Sequence, residues 1–187
     1  MEAQSWRHVR YADDFVVLTR TPQEAAAAHQ RTKEVLQELK LEVHPTKSRE
    51  TNFHKGFEFL GFHFRRGVLG PRQRSIEKFR ADVRKKTRRQ QGTNVETVIE
   101  ELNPTLRGWG RYFGPGNVHK TFERLDKWMR MRVRNFRIKR RNHNDNWRIP
   151  NETLAEWGLL SLLTCRPEHR LTYRRAKTLR AGRNSLQ

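Results

Sequence analysis

Residues 65–141 carry 23 basic residues against seven acidic ones, a net charge of +16. A segment so charged can fold only if its few apolar side chains share one face of each element and leave the cations in water. Those apolar residues do recur at helical spacing. Ile76, Phe79 and Val83 form one stripe, surrounded by Arg80, Arg84, Lys85, Lys86, Arg88 and Arg89. Thr93-Asn94-Val95-Glu96 has the form of a capping box, and Val95, Val98, Ile99 and Leu102 follow it as a second stripe. Asn103-Pro104 predicts a stop or kink. Leu106, Trp109, Tyr112 and Phe113 then sit at i, i+3, i+6 and i+7, ending at Gly114-Pro115-Gly116. Phe122, Leu125, Met129, Val133 and Phe136 mark a long helix with Arg124, Lys127, Arg130, Arg134 and Arg137 on its outer faces. The segment reads as an all-α bundle with a cationic exterior.

The first third is different. Residues 1–64 hold nine Lys/Arg and nine Asp/Glu, so they are neutral, and the composition changes near residues 65–70. Residues 7–11 and 15–19 are rich in β-branched and aromatic side chains and flank Ala12-Asp13-Asp14, which predicts a hairpin with two carboxylates at its tight turn. Thr21-Pro22-Gln23-Glu24 is a helix-start signal with Pro at the first helical position. The helix is expected over residues 22–40 with Val35, Leu36 and Leu39 on its buried side, then a short strand over 41–43. Phe57, Phe59, Phe62 and Phe64 alternate about a Leu60-Gly61 kink, which fits a strand pair or a bulged strand. This part reads as α+β. Residues 142–187 add a net +4 and one more apolar patch (Leu154, Trp157, Leu159, Leu160, Leu162, Leu163).

The whole chain of 187 residues has a net charge of +20. A pI near 11.3 argues against a small-metabolite enzyme and for a polyanionic partner, most often nucleic acid. The single cysteine, Cys165, excludes a disulfide framework and a Cys-rich zinc site. No apolar run approaches the ~18–20 residues of a membrane span, and the N-terminus lacks a signal-peptide core, so a cytoplasmic protein is expected.

Two adjacent carboxylates at a turn repel each other, and a hard divalent cation such as Mg²⁺ is one way to hold them. Asp is also common in turns because its side chain bonds its own backbone. The order of motifs decides between these. An apolar strand, Tyr11-Ala12-Asp13-Asp14, a second apolar strand, a capped helix, His44-Pro45-Thr46-Lys47-Ser48 and Phe59-Leu60-Gly61 follow one another. This series resembles the second half of a reverse transcriptase palm. Residues 102–113, Leu-Asn-Pro-Thr-Leu-Arg-Gly-Trp-Gly-Arg-Tyr-Phe, look like the signature of the group II intron maturase-specific domain, and Phe122, Leu125, Asp126 and Trp128 are similar to its continuation.

The resemblance implies a truncated palm over residues 1–67, a thumb or maturase domain over 68–141 and a basic extension over 142–187. It implies that Asp13 and Asp14 are catalytic metal-site carboxylates for Mg²⁺, with Tyr11 near the incoming nucleotide or primer end. Lys47 would neutralise triphosphate charge, and Phe59, Leu60 and Gly61 would belong to the primer grip. The implied partners are group II intron RNA and an RNA/DNA primer-template, in a bacterial setting. The resemblance begins almost at the first residue and leaves out fingers and front palm, which a missing N-terminal half, on the same or another polypeptide, would supply. Two carboxylates fall short of the three or so that a phosphoryl-transfer site needs, and the chain alone is expected not to polymerise. The basic helices retain their own chemistry. Arg80, Arg84, Arg88, Arg130, Arg134 and Arg137 share helices with a defined apolar face and are the candidate RNA contacts, because guanidinium groups meet phosphate bidentately. A stand-alone RNA-binding splicing factor is the alternative function.

Overall fold

The structure is a computed structural model that describes residues 6–41, 48–88, 92–138 and 147–167. The chain forms two compact units, Met1–Gly67 and Val68–Gln187. Small antiparallel hairpins and a helix precede a set of helices, so the α+β class with a helical second part holds.

In the first unit β1 (Arg7–Tyr11) pairs antiparallel with β2 (Asp14–Leu18), with Tyr11 opposite Asp14 and Arg7 opposite Leu18. Helix α1 (Pro22–Glu38) starts at Thr21, whose hydroxyl accepts from the Glu24 amide at 3.1 Å. The Glu24 carboxylate accepts from the Arg20 amide at 2.8 Å, one residue before the position that a capping box would use. The helix ends two residues earlier than expected. Lys40 takes φ +55°, its amide donates to Gln37 O at 3.0 Å, and the Leu41 amide donates to Leu36 O at 2.8 Å. That is a Schellman termination with lysine where glycine is usual.

The apolar side of α1 is not buried as expected. Leu39 is 63% exposed, Val35 is exposed and Leu36 is half-buried; Ala28 is the one buried apolar residue of this unit among the described residues. A two-stranded sheet and one helix give too little apolar area to cover themselves. The strand expected over 41–43 lies, beyond Leu41, outside the described residues.

Strands β3 (Phe57–Phe59) and β4 (Phe62–Arg65) pair antiparallel, Phe57 opposite Phe64 and Phe59 opposite Phe62. The Leu60-Gly61 pair is therefore a two-residue hairpin turn, with φ +48° and +78° as a type I′ turn requires. Of the two forms that the phenylalanine alternation allowed, the strand pair is the one adopted. Cross-strand Phe57 and Phe64 stack with centroids 5.0 Å apart and rings 7° from parallel.

The second unit opens with β5 (Val68–Pro71), then α2 (Gln73–Lys86), α3 (Val95–Phe113), α4 (His119–Ile138) and the short α5 (Asn151–Glu156). The apolar stripes read from the sequence face inward: Phe79, Val83, Val98, Ile99, Leu102, Leu106, Phe122, Leu125, Met129 and Val133 are buried. Trp109 on α3 is the hub. Its ring lies 4.7 Å from Phe79 of α2, 4.6 Å from Phe113 and 5.6 Å from Phe122 of α4. Leu154, Leu159 and Leu162 are also buried, so the apolar patch after residue 147 belongs to this core.

Two local expectations change. The cap of α3 is Asn94, not Thr93, with its side-chain oxygen accepting from the Thr97 amide at 2.8 Å. Helix α3 also runs through Pro104 instead of stopping. Proline removes the amide that would reach the carbonyl of Glu100, but Glu100 and Pro104 are both exposed, where water can satisfy that oxygen. Asn103, read as half of a breaker, points its amide away from its own backbone: it donates to Gly158 O at 2.9 Å and accepts from the Leu160 amide at 3.1 Å.

Candidate functional site

The carboxylate turn is built from Ala12 and Asp13 between paired Tyr11 and Asp14. Closing two strands in two residues calls for φ > 0 at the first of them, and Ala12 supplies φ +53°. An L side chain there costs about 1–2 kcal/mol. Arg10 Nε donates to Ala12 O at 2.8 Å and helps hold the turn. Tyr11, Asp13 and Asp14 are all exposed at the hairpin tip. The hairpin thus brings the two predicted carboxylates and Tyr11 together at one place. Carboxylate oxygens are the right donors for a hard divalent cation. Among the described residues there is no group of three His, Cys, Asp or Glu that could hold a metal.

Phe59, Leu60 and Gly61 stand at the β3–β4 turn, all half-buried, with the Phe57–Phe64 stack behind them and Phe53 edge-on to Phe57 at 5.4 Å. Gly56 is required where it is: at φ +82° a Cβ would lie 2.9 Å from Phe64 O. Lys47 lies outside the described residues.

The arginine candidates fall on two helices. Arg80, Arg84 and Arg88 recur every four residues along α2 and its end, with Arg80 half-buried and the other two exposed. Arg80 and Arg84 both place Cζ over the Trp128 ring of α4, at 5.6 and 5.5 Å from its centroid. On α4, Arg130 is half-buried and Arg137 exposed. Arg134 instead anchors the fold. Its Nε donates to Ile149 O at 2.7 Å and its Nη2 to Asn151 Oδ1 at 2.8 Å, which pins the start of α5. Burial and neighbouring Arg130 push its pKa below the usual arginine value.

Several residues that hold this surface carry no periodic signal. Arg132 of α4 donates to Thr87 at the end of α2, from Nε to Oγ1 at 3.1 Å and from Nη2 to the carbonyl at 3.0 Å. Buried Asp126 accepts from Ser161 Oγ at 2.6 Å and from the Leu162 amide at 2.9 Å. Arg166 donates to Gly114 O at 3.1 and 2.9 Å. Asp126 faces inward among apolar neighbours at helical spacing, a misplaced charge that, with its place in the maturase-like motif, is the signal the sequence offered for it. Cys165 packs against α3 at Gly110, and burial pushes its thiol pKa up.

Residues 2–64 match the family model described as reverse transcriptase (RNA-dependent DNA polymerase). Residues 76–152 match that of the group II intron, maturase-specific domain. No curated protein matches the chain. No helix among the described residues is long and apolar enough to cross a membrane.

Proposed function

Because the chain belongs to the group II intron reverse transcriptase/maturase family, we propose that its helical unit binds intron RNA, and that its Asp13-Asp14 hairpin serves polymerisation only when further ligands join it. The observation that carries the RNA reading is the second unit itself. Its apolar stripes, exposed Tyr112 apart, are used in a core, while Arg84, Arg88 and Arg137 lie exposed and Arg80 and Arg130 half-exposed along α2, its end and α4. Arg80, Arg84, Arg88, Arg130 and Arg137 supply phosphate contacts, with Arg134 contributing chiefly through the position of α5.

Reverse transcriptases work with divalent metal, which activates the attacking hydroxyl and stabilises the leaving oxygen. In this chain Asp13 and Asp14 would hold Mg²⁺, Tyr11 would face the primer end, Lys47 would meet the triphosphate, and the Phe59-Leu60-Gly61 turn would support the primer strand. Val9, Phe15, Val35 and Leu39 of the first unit are open to solvent, and this apolar area is what further palm structure would cover. A bacterial cytoplasm is a setting that suits this reading.

A second reading is a stand-alone splicing factor without polymerase activity, favoured by the two-carboxylate set. Competition binding tests the RNA reading: at physiological salt a group II intron RNA should displace mixed-sequence RNA of equal length from the protein. Equal competition sinks it. Magnesium-dependent primer extension by the pure chain, lost in Asp13→Ala, would show that the hairpin needs no complement and remove the second reading.

A further inference from the structure

We propose that Arg80, Arg84 and Trp128 form a clamp for an RNA backbone phosphate, with Trp128 as the platform that orders both guanidinium groups. The proposal rests on the RNA-binding reading and names the place where that binding is focused. Arg80 and Arg84 are one helical turn apart on α2 and so share a face. Both lie within 5.6 Å of the same indole centroid on α4. A guanidinium stacked on a ring keeps its in-plane N–H donors for other acceptors.

Among the described residues neither arginine has a carboxylate partner, and Arg80 Nε has no acceptor but is itself shielded from solvent, which leaves the Nη donors of the two forks for a ligand. Two like charges brought to one ring are partly compensated by its negative face, but the hydrogen-bonding capacity is not. A tetrahedral oxyanion on a flexible strand matches it, since phosphate oxygens accept forked guanidinium donors. The site is also held rigidly. The Arg132–Thr87 bonds tie the end of α2 to α4, which fixes the ring relative to the two arginines. Arg88 continues the exposed row beyond them.

The test is equilibrium binding of labelled intron RNA to the full chain over a salt series, for wild type, Arg80→Lys, Arg84→Lys, the Arg80→Ala/Arg84→Ala double variant, Trp128→Leu and Trp128→Phe. The lysine variants keep charge and lose the fork, and each should weaken binding about five- to tenfold with an unchanged salt slope. The double alanine variant should flatten the slope of log Kd against log salt by about one unit. Trp128→Leu should weaken binding about threefold, and Trp128→Phe should recover most of that. A merely structural tryptophan would not give that rescue with the slope intact. Lysine variants and Trp128→Leu all within twofold of wild type overturn the clamp.

If wild type binds no RNA, the RNA reading falls, and tripolyphosphate decides the clamp separately. Saturable quenching of the fluorescence component that Trp128→Phe removes, absent in the double alanine variant, would keep a phosphate site with a different source. No such quenching overturns it.

Discussion

Gly108 and Gly110 stand two residues apart in the same motif of α3, and replacing each with alanine should have opposite effects. At Gly108 an added Cβ meets nothing within 4 Å. Gly108→Ala therefore gains only helix propensity, about 0.8–1 kcal/mol of stability. At Gly110 the Cβ would lie 2.6 Å from Cys165 Cβ, 3.1 Å from Leu162 O and 3.4 Å from Cys165 C. Two of those three atoms are backbone of a segment fixed by Asp126, Asn103 and Arg166, so it cannot yield by a side-chain rotation. Overpacking of this kind costs typically 1–3 kcal/mol, occasionally more, against the same propensity gain. A net loss of up to about 2 kcal/mol is expected for Gly110→Ala on those terms. Urea unfolding followed by far-UV circular dichroism measures both, as shifts of the midpoint in opposite directions at constant m-value. Cys165→Gly removes the nearest atom, so the Gly110→Ala/Cys165→Gly pair should show positive coupling in a double-mutant cycle. Midpoints that move in the same direction, or an additive cycle, would refute the close approach of residues 162–165 to α3.

Asp126→Ala should cost about 1–3 kcal/mol, because the buried Leu162 amide is left without an acceptor, while Asp126→Asn should lose less; urea midpoints compare the two. Lys40→Gly should strengthen the end of α1 by up to about 1 kcal/mol by relieving φ +55°, read as slower amide exchange at Lys40 and Leu41. The raised thiol pKa of Cys165 favours the protonated form in the folded state. Its contribution to stability is present below the unfolded thiol pKa, near 8.5, and is lost as pH rises from there through the folded value. Unfolding midpoints measured at rising alkaline pH should therefore fall less steeply in Cys165→Ser than in wild type.

Periodicity made the second unit legible. Each stripe from Phe79 to Phe136 had to face a core, since nothing else in so cationic a segment could drive folding. The first hairpin was legible, although Asp14 belongs to its second strand and leaves only Ala12-Asp13 in the turn, while the alternation about Leu60-Gly61 left a strand pair and a bulged strand both open. What stayed hidden depends on partners far along the chain. Pro104 reads as a break because propensity is local, while Asn103 is occupied 55 and 57 residues away. Arg134 and Arg137 look alike in sequence, and only the position of Ile149 and Asn151 turns one of them inward. The stacking of two arginines on Trp128 needed the placement of α2 beside α4. In the first unit the expected burial of Val35 and Leu39 failed because a pattern shows which face is apolar, not whether this chain supplies the cover.

Hydrogen exchange of the full chain with and without group II intron RNA tests most directly whether the helical unit is the intron-RNA-binding surface. Slowed exchange in peptides from Gln73–Lys86 and His119–Ile138, with Arg7–Leu18 unchanged, is the result expected. Slowing confined to the Arg7–Leu18 hairpin, or none at RNA concentrations that saturate binding, would contradict it.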